Sequence, residues 1–489
     1  MNGDELRCKI VGEGGNLGFT QLGRIEYALK GGIINTDFID NSAGVDCSDH
    51  EVNIKILLNK EIINGKLNEK QRNQLLSEMT QDVAKLVLKD NYNQALVMSF
   101  SAIHATRYSD LYQSYLKELE TSIHLDRNVE FLPDDKKLLE RKTTGQGLTR
   151  PELAVLLAYT KIHIKNEILK SDLPEEPYFA TSLETAFPAL LTESYLKAME
   201  EHQLRREIIA TQISNQIVNT MGITFVYRLQ METGAAIAEI ARAHAISVVA
   251  YETTHLEKLI DSLNLKVPIK MQYELLHHVR QLLNLATRWF LCKNRMQSDI
   301  NKIVTHYAKS IAELEHIVPR LMVGITKTYM ETIIKQFVDA GLPENIARKV
   351  TIARGMYTAL NVIEVATKNK FDLIKTAEIY FDIGGRFNLV WFRDYLANDA
   401  REGHWNTMAR LTLRDELDSL QRGLTIVILQ YNKKETNPRK LITHWLTENH
   451  HIQEHWTKLV EMLHSSSNVD YTMFFITLRR LSDFILVDE

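Results

Sequence analysis

The sequence is short of the residues that punctuate a chain. Nine prolines and 21 glycines in 489 residues fall below the usual shares of about 5% and 7%, which predicts a mainly helical protein. Three cysteines are an odd number and too few to staple a chain this long, so no disulfide framework is expected. The thiols read as reduced and the setting as cytoplasmic. No uninterrupted apolar run reaches the roughly 18 residues that a spanning helix needs, and Met1 to Glu5 lacks the apolar stretch of a secretory leader. Neither membrane insertion nor secretion is expected. No sign of charge dominates: 58 basic against 62 acidic side chains leave −4, which offers no footprint for nucleic acid or an anionic membrane. Apolar residues, by contrast, make up 45% of the chain, too many for disorder, and at this length several packed units are expected.

The scarce residues are unevenly spread. Nine of the 21 glycines, from Gly3 to Gly44, fall in the first 44 residues, whereas every proline lies at Pro133 or later. This shift sets a boundary near residue 60 between a strand-and-turn segment and a long helical remainder. In the first segment, Leu6 to Val11 and Ile33 to Ile39 read as short buried strands, with helical character between them from Thr20 to Leu29. Such a βαβ unit needs further parallel neighbours and helices on both faces to satisfy its backbone. Fifty-eight residues cannot supply them, so the sheet is expected to be completed from elsewhere.

Beyond residue 60 the pattern is helix after helix. Thr80 is placed as the N-cap of a helix through Arg107. Thr149 and Glu152 form a capping box, with Pro151 in the first turn. Residues Ser171 to Pro177 mark a break, Leu204 to Met221 ends at Gly222, and Gly234 to Leu263 reads as one long amphipathic helix. Tyr273 to Cys292, Asp299 to Ile317, Pro343 to Ala366, Trp405 to Tyr431 and Arg439 to Leu446 continue the series, with interruptions expected at Pro319, Gly384-Gly385 and Pro438.

The densest polar cluster, Gly12-Glu13-Gly14-Gly15-Asn16, follows the first strand. It opens as G-x-G, but Leu17 stands where the dinucleotide fingerprint requires its third glycine, even though Asp37 and Asp40 lie at a suitable distance downstream. The turn either touches a cofactor phosphate or ribose, or uses glycine for backbone geometry alone. A second cluster, Asn41 to Glu51, sits at the carboxyl end of the second strand, where ligands of open α/β sheets bind. Its small residues Ser42, Ala43 and Gly44 allow close approach. The bland alternative makes Ser48 and Glu51 a capping box. Asp46, Cys47, Asp49 and His50 are crowded at spacings that do not converge as zinc or calcium ligands do, so no metal is expected. His450, His451 and His455 read as a solvated helix face over Trp456, Gly384-Gly385-Arg386 as a helix C-cap, and Arg205-Arg206 as an exposed charged turn.

At these residues the chain resembles a known family. Residues 9 to 58, KIVGEGGNLGFTQLGRIEYALKGGIINTDFIDNSAGVDCSDHEVNIKILL, are similar to the end of the catalytic region of the large bacterial NAD-specific glutamate dehydrogenases. LVLKDNYNQ (86 to 94), GLTRPELAVLLAYTK (147 to 161) and HQLRREIIATQISNQIVNTMGITFV (202 to 226) resemble that family's C-terminal region, and the likeness runs over at least residues 5 to 290. The resemblance implies oxidative deamination of L-glutamate to 2-oxoglutarate and ammonia, with NAD as hydride acceptor. It implies that Gly14-Gly15-Asn16 corresponds to a G-A-N turn, with Gly15 in place of alanine, and that Asn16 contacts the nicotinamide end of the cofactor. It also matches Asn41 to Ser48 to the motif N-A-G-G-V-x-V-S, with departures at Ser42, Ala43, Asp46 and Cys47. On that match Ser48 binds the side-chain carboxylate of the substrate, Val45 lines the same pocket, and Asn41 and Gly44 shape its floor.

The resemblance places the family's catalytic lysine and aspartate upstream of Met1, so no catalytic residue is assigned in this chain, and the chain alone is expected to be inactive. The expected architecture is a remnant of an α/β dinucleotide-binding, Rossmann-like domain (1–58), a helical region packing on it (59–170) and a helical C-terminal domain (171–489). The expected partners are further copies of the chain or an upstream catalytic half. The competing function is a free-standing helical interaction or regulatory module without catalysis.

Overall fold

The computed structural model describes residues 2–293, 299–399, 401, 403–466 and 469–486. The chain is mainly helical, and the strands among the described residues form one two-stranded sheet. It divides into two compact units, Met1–His244 and Ala245–Glu489, with the division falling inside the helix Ile237–Ala250.

The first unit opens with a parallel pair, β1 (Ile10–Val11) against β2 (Ile33–Ile34), in the register Ile10 to Ile33 and Val11 to Ile34. Helix Gln21–Leu29 connects them, capped by Thr20, whose hydroxyl accepts from the Gly23 amide at 3.1 Å. Both strands are shorter than the sequence suggests. Each has one neighbour, so pairing stops after two residues, and Ile10 and Ile33 stay exposed rather than buried. Residues Asp37–Asp40, read as the end of a strand, instead form a helical turn.

Four longer helices build the core of this unit: Ser42–Ile63, Thr80–Ile103, Arg150–Leu169 and Arg205–Met221. The last three pack on one another, and Ser42–Ile63 packs on Thr80–Ile103. Leu58, Val97, Met98, Leu153, Leu156 and Ile209 are sealed from solvent among them; each such side chain stabilises the fold by about 1.5–3 kcal/mol relative to exposure. Helix Arg150–Leu169 is apolar over most of its circumference, as a helix surrounded by others must be. The expected capping box starts it: the Glu152 carboxylate accepts from the Thr149 amide at 2.7 Å, and Arg141 holds the same buried carboxylate at 2.7 Å. Gly147, just before, lies so close to the Ala105 backbone that a Cβ would sit 2.4 Å from its carbonyl carbon, which only glycine permits.

Thr80 is not an N-cap. Its hydroxyl donates back to the carbonyl of Ser77 at 3.0 Å, because helix Glu69–Glu78 runs almost directly into Thr80–Ile103. Arg205 and Arg206 are more than an exposed turn: they donate to the carbonyls of Pro174, Leu169 and Ser171, pinning the break between helices. Helix Arg205–Met221 does end at Gly222, where φ is 90°.

In the second unit, helices Ile269–Cys292, Gly324–Asp339 and Glu344–Gly355 pack together, and His404–Tyr431 lies against Leu373–Arg386 and Tyr471–Leu486. The latter group shares a core of Phe387, Phe392, Trp445, Trp456 and Phe474. Asp418, buried beneath it, accepts from Arg393 at 2.7 Å and from the Tyr357 hydroxyl. Two expected long helices are broken. Gly234 to Leu263 divides into Ile237–Ala250 and Thr253–Asp261 at Glu252, which is left-handed at φ 49°. The Tyr251 hydroxyl donates to the Met356 carbonyl at 3.2 Å across this bend. Pro343 to Ala366 is likewise interrupted at Met356–Thr358. Gly384 and Gly385 lie within the last turn of Leu373–Arg386 rather than capping it, where Gln421 and Val323 press too closely for a side chain. His450, His451 and His455 form the solvated face expected, above Trp456, which donates to the Phe387 carbonyl at 2.8 Å. Among the described residues no helix is long and apolar enough to cross a membrane.

Candidate functional site

The turn after β1 is held from beneath. Glu13 is buried and takes a two-point ion pair from Arg24, at 2.5 and 2.9 Å, while accepting the Phe19 amide at 3.1 Å. Asp40 accepts the Glu13 amide at 3.0 Å and Asp37 the Leu17 amide at 2.9 Å. The two aspartates that the sequence set at ribose distance are therefore engaged in clamping the turn. Leu17, in place of a glycine, adopts a left-handed φ of 58°. Gly14 and Gly15 have open space where a Cβ would stand, and neither has a positive φ. Their lack of side chains answers no need of backbone or packing within this chain; it leaves the turn's outer surface clear.

The second motif follows on a continuous helix. Ser42–Ile63 begins at Asn41, so Ser48 lies in its second turn with no role as a cap; the alternative that made Ser48 and Glu51 a capping box is removed. Asn41, Gly44, Val45 and Ser48 share one face, as positions three and four apart must. That face is open: Gly44, Val45 and Ser48 are exposed and Asn41 is half-buried. At Gly44 a Cβ would stand 3.0 Å from the Asn41 side chain, so the two are in close contact. Ser42 is drawn inward, where its hydroxyl accepts from Asn91 at 3.0 Å. The two motifs meet, because the Asn41 side-chain amide donates to Oδ1 of Asn16 at 2.9 Å. All seven sequence-assigned positions, Gly14, Gly15, Asn16, Asn41, Gly44, Val45 and Ser48, thus belong to one turn and one helix face joined by that bond.

The opposite face of the same helix holds a group that sequence reasoning only half found. Asp46 and His50, one turn apart, turn inward, while Cys47 and Asp49 stay on the exposed side. Asp90 of helix Thr80–Ile103 joins them. Lys161 of helix Arg150–Leu169 acts on both carboxylates electrostatically. Burial raises the Asp46 and Asp90 carboxyls above the ordinary carboxylate range, against the pull of His50 and Lys161. Burial also pushes the Lys161 ammonium down to about 8, against the two carboxylates. The i, i+4 spacing of Asp46 and His50 was the signal available; nothing local pointed to Asp90 or Lys161. A separate concavity of about 500 Å³ in the second unit is lined in part by Gly385, Arg386, Asn388 and Trp391.

Comparison with known proteins places these features in a family. Residues 145–483 match the family described as glutamate dehydrogenase, C-terminal, and residues 1–101 match the bacterial NAD-glutamate dehydrogenase catalytic domain. The chain belongs to the bacterial NAD-glutamate dehydrogenase family. It is 42% identical over 483 residues to an NAD-specific glutamate dehydrogenase of Pseudomonas aeruginosa, and 38% identical over 484 residues to one of Halomonas elongata. Each alignment takes in 99% of this chain and 30% of the relative. A Mycobacterium tuberculosis protein of the same name is 34% identical over 445 residues, covering 91% of this chain and 27% of its own length. The chain therefore spans about 30% of the length of the curated relatives it matches. Within this family frame, the catalytic-domain match contains both motifs together with Asp46, His50 and Asp90, and the C-terminal match contains Lys161. The buried group on the inner helix face brings the two matched segments together.

Proposed function

We propose that this chain contributes the cofactor turn and the substrate helix of an enzyme that oxidatively deaminates L-glutamate to 2-oxoglutarate and ammonia, with NAD taking the hydride. The observation that carries this reading is the Asn16–Asn41 hydrogen bond, which joins a side-chain-free turn to an open helix face. Residues 1–58 act as the last part of a Rossmann-like domain, residues 59–170 as the helical region packed on it, and 171–489 as a helical domain. Gly14 and Gly15 let the nicotinamide end of the cofactor approach the backbone, and Asn16 hydrogen-bonds to it. Ser48 donates to the distal carboxylate of glutamate, Val45 packs against the substrate methylenes, and Asn41 and Gly44 form the floor.

The chemistry asks for more than this face offers. Loss of hydride from the glutamate Cα is coupled to loss of a proton from its amino group, and this needs a base and cationic partners for the α-carboxylate held in register. No group on the Asn16–Ser48 face is assigned as that base. Ile10, Leu17, Ile33, Phe38, Val45 and Val52 of the same N-terminal segment are all exposed, apolar side chains suited to cover by the other part of the catalytic domain or another copy of the chain. A cytoplasmic setting suits the three cysteines, which are exposed and not joined in disulfides. NADH formation from glutamate and NAD is the test. The purified chain should form none above a blank, and the enzyme extended to the full length of the relatives should form it; activity in the chain alone, or none in the full-length enzyme, sinks the proposal.

A further inference from the structure

The inward face of helix Ser42–Ile63 carries an unassigned group of donors. Asp46, His50 and Asp90 each present one ligand atom, and the three atoms all lie within 4.8 Å of one another. Ligands held about 2.1 Å from a tetrahedral ion lie about 3.4 Å from one another; Asp46 and His50 stand at 3.9 Å, so a contraction of roughly half an ångström for that pair, and of about 1.4 Å at most for the others, brings the three onto one centre. They come from two helices, so the set is closed by tertiary packing and not by a local loop.

The orientation of His50 determines what the group can hold. Its Nδ1 lies 3.1 Å from the Ala186 carbonyl oxygen, which can only accept, so Nδ1 carries the proton. In the neutral ring Nε2 is then a bare lone pair. His50 is 7% exposed, and its Nε2 is buried with no hydrogen-bond partner. The atom it faces is Oδ1 of Asp46, 3.9 Å away, another acceptor, and Asp46 Oδ2 is also buried without a partner. His50 Nε2 and Asp46 Oδ2, two buried acceptors without a hydrogen-bond partner beside Asp90, form with it a set that a cation completes. A backbone carbonyl fixing the far nitrogen is also the usual support for a metal-bound histidine.

We propose that Asp46, His50 and Asp90 bind a divalent transition-metal ion of the manganese or zinc class. One imidazole nitrogen and two carboxylate oxygens suit ions of borderline softness, and two carboxylates neutralise a double positive charge. Held there, the ion clamps helix Ser42–Ile63, whose other face presents Ser48, to helix Thr80–Ile103. The site is separate from the Asn16–Ser48 face and stands or falls independently of the function proposed above. Lys161 is the rival counter-charge: without a metal its ammonium neutralises the same carboxylates.

The test uses the full chain freed of metal by chelator and titrated with Mn2+, with free Mn2+ followed by its electron paramagnetic resonance. The expected result is one tight ion per chain, weakened on the order of tenfold or more by Asp46→Asn and by Asp90→Asn. Displacement by Zn2+ is expected, along with a rise in melting temperature on metal addition in the unsubstituted chain only. His451→Gln with His455→Gln, on the solvated helix face, should leave binding unchanged. Lys161→Met, which removes the rival charge without touching a ligand, should tighten it; this variant keeps the proposal testable if either aspartate change prevents folding. Absence of tight Mn2+ binding, equal affinity in Asp46→Asn, loss of binding in the double histidine variant, or weaker binding in Lys161→Met would each overturn the site and leave a salt network centred on Lys161.

Discussion

Asn41 donates its side-chain amide hydrogen to Oδ1 of Asn16 at 2.9 Å, across 25 residues of sequence. Asn16 lies in the turn after β1, and Asn41 opens the helix after β2. The bond ties the proposed cofactor turn to the proposed substrate face, so on that proposal a change at either residue would be felt by both ligands.

In the full-length enzyme, Asn41→Ala should therefore weaken NAD and glutamate together. A neutral hydrogen bond contributes about 0.5–1.5 kcal/mol, or roughly two- to twelvefold in affinity. The KM values for NAD and for glutamate measure this, with Asn16→Ala and the double variant completing a cycle. Effects that add fully in the double variant would mean that the two motifs act separately.

Ser48→Ala should raise the KM for glutamate about ten- to a hundredfold, the worth of a hydrogen bond to a charged group at about 1.5–3 kcal/mol. Because Ser48 is exposed within a helix and not at its start, the melting temperature should hold or rise slightly, alanine being the better helix former. An unchanged KM removes Ser48 from the substrate site.

Glu152 supports the first unit through two interactions at once, accepting the Thr149 amide and the Arg141 guanidinium while fully buried. Glu152→Ala leaves a buried arginine unpaired and a helix start uncapped, and should cost about 3–5 kcal/mol of stability. Glu152→Gln keeps an acceptor for the amide and should cost less. Urea unfolding followed by circular dichroism checks the order of the two variants.

Burial pushes His244 and His278 down to about 4, His244 by desolvation alone and His278 with help from Arg354 and His277. Both rings are neutral in the folded chain over a range where the unfolded chain binds protons on them. Stability therefore rises with pH between about 4 and the ordinary histidine value of 6.5, and is lost as pH falls through that window. Each ring contributes a loss of up to on the order of 3 kcal/mol. Melting temperature followed from pH 7 to pH 4 should fall steeply, and less so in His244→Gln. A profile with the same slope in that variant would contradict the assignment.

Local chemistry was legible in the sequence wherever one short segment sufficed to specify it. The Thr149–Glu152 box, the stop at Gly222 and the helix between β1 and β2 depend on residues within a few positions of one another, so propensity and capping rules reach them. The same holds for the solvated histidines over Trp456. The two motifs that carry the family resemblance were likewise visible as residues 14–16 and 41–48, though not the bond between Asn16 and Asn41. Thr80 and Ser48 lose their expected capping roles to helices that start earlier in the chain, whereas at the bend at Glu252 and at Gly384 the competing partner lies far off in sequence. The bend at Glu252 carries no glycine or proline, and the Tyr251 hydroxyl beside it reaches the Met356 carbonyl, 105 residues on. Gly384 reads as a helix stop until Gln421 is seen filling the space a side chain would need. Asp46 and His50 announce a shared helix face by their spacing, but only packing brings Asp90 and Lys161 against it, and a bare Nε2 becomes visible only once the Ala186 carbonyl is seen accepting a hydrogen bond from the other nitrogen. Secondary structure answers largely to neighbours in sequence; buried charge answers to neighbours in space, and these are set by tertiary packing.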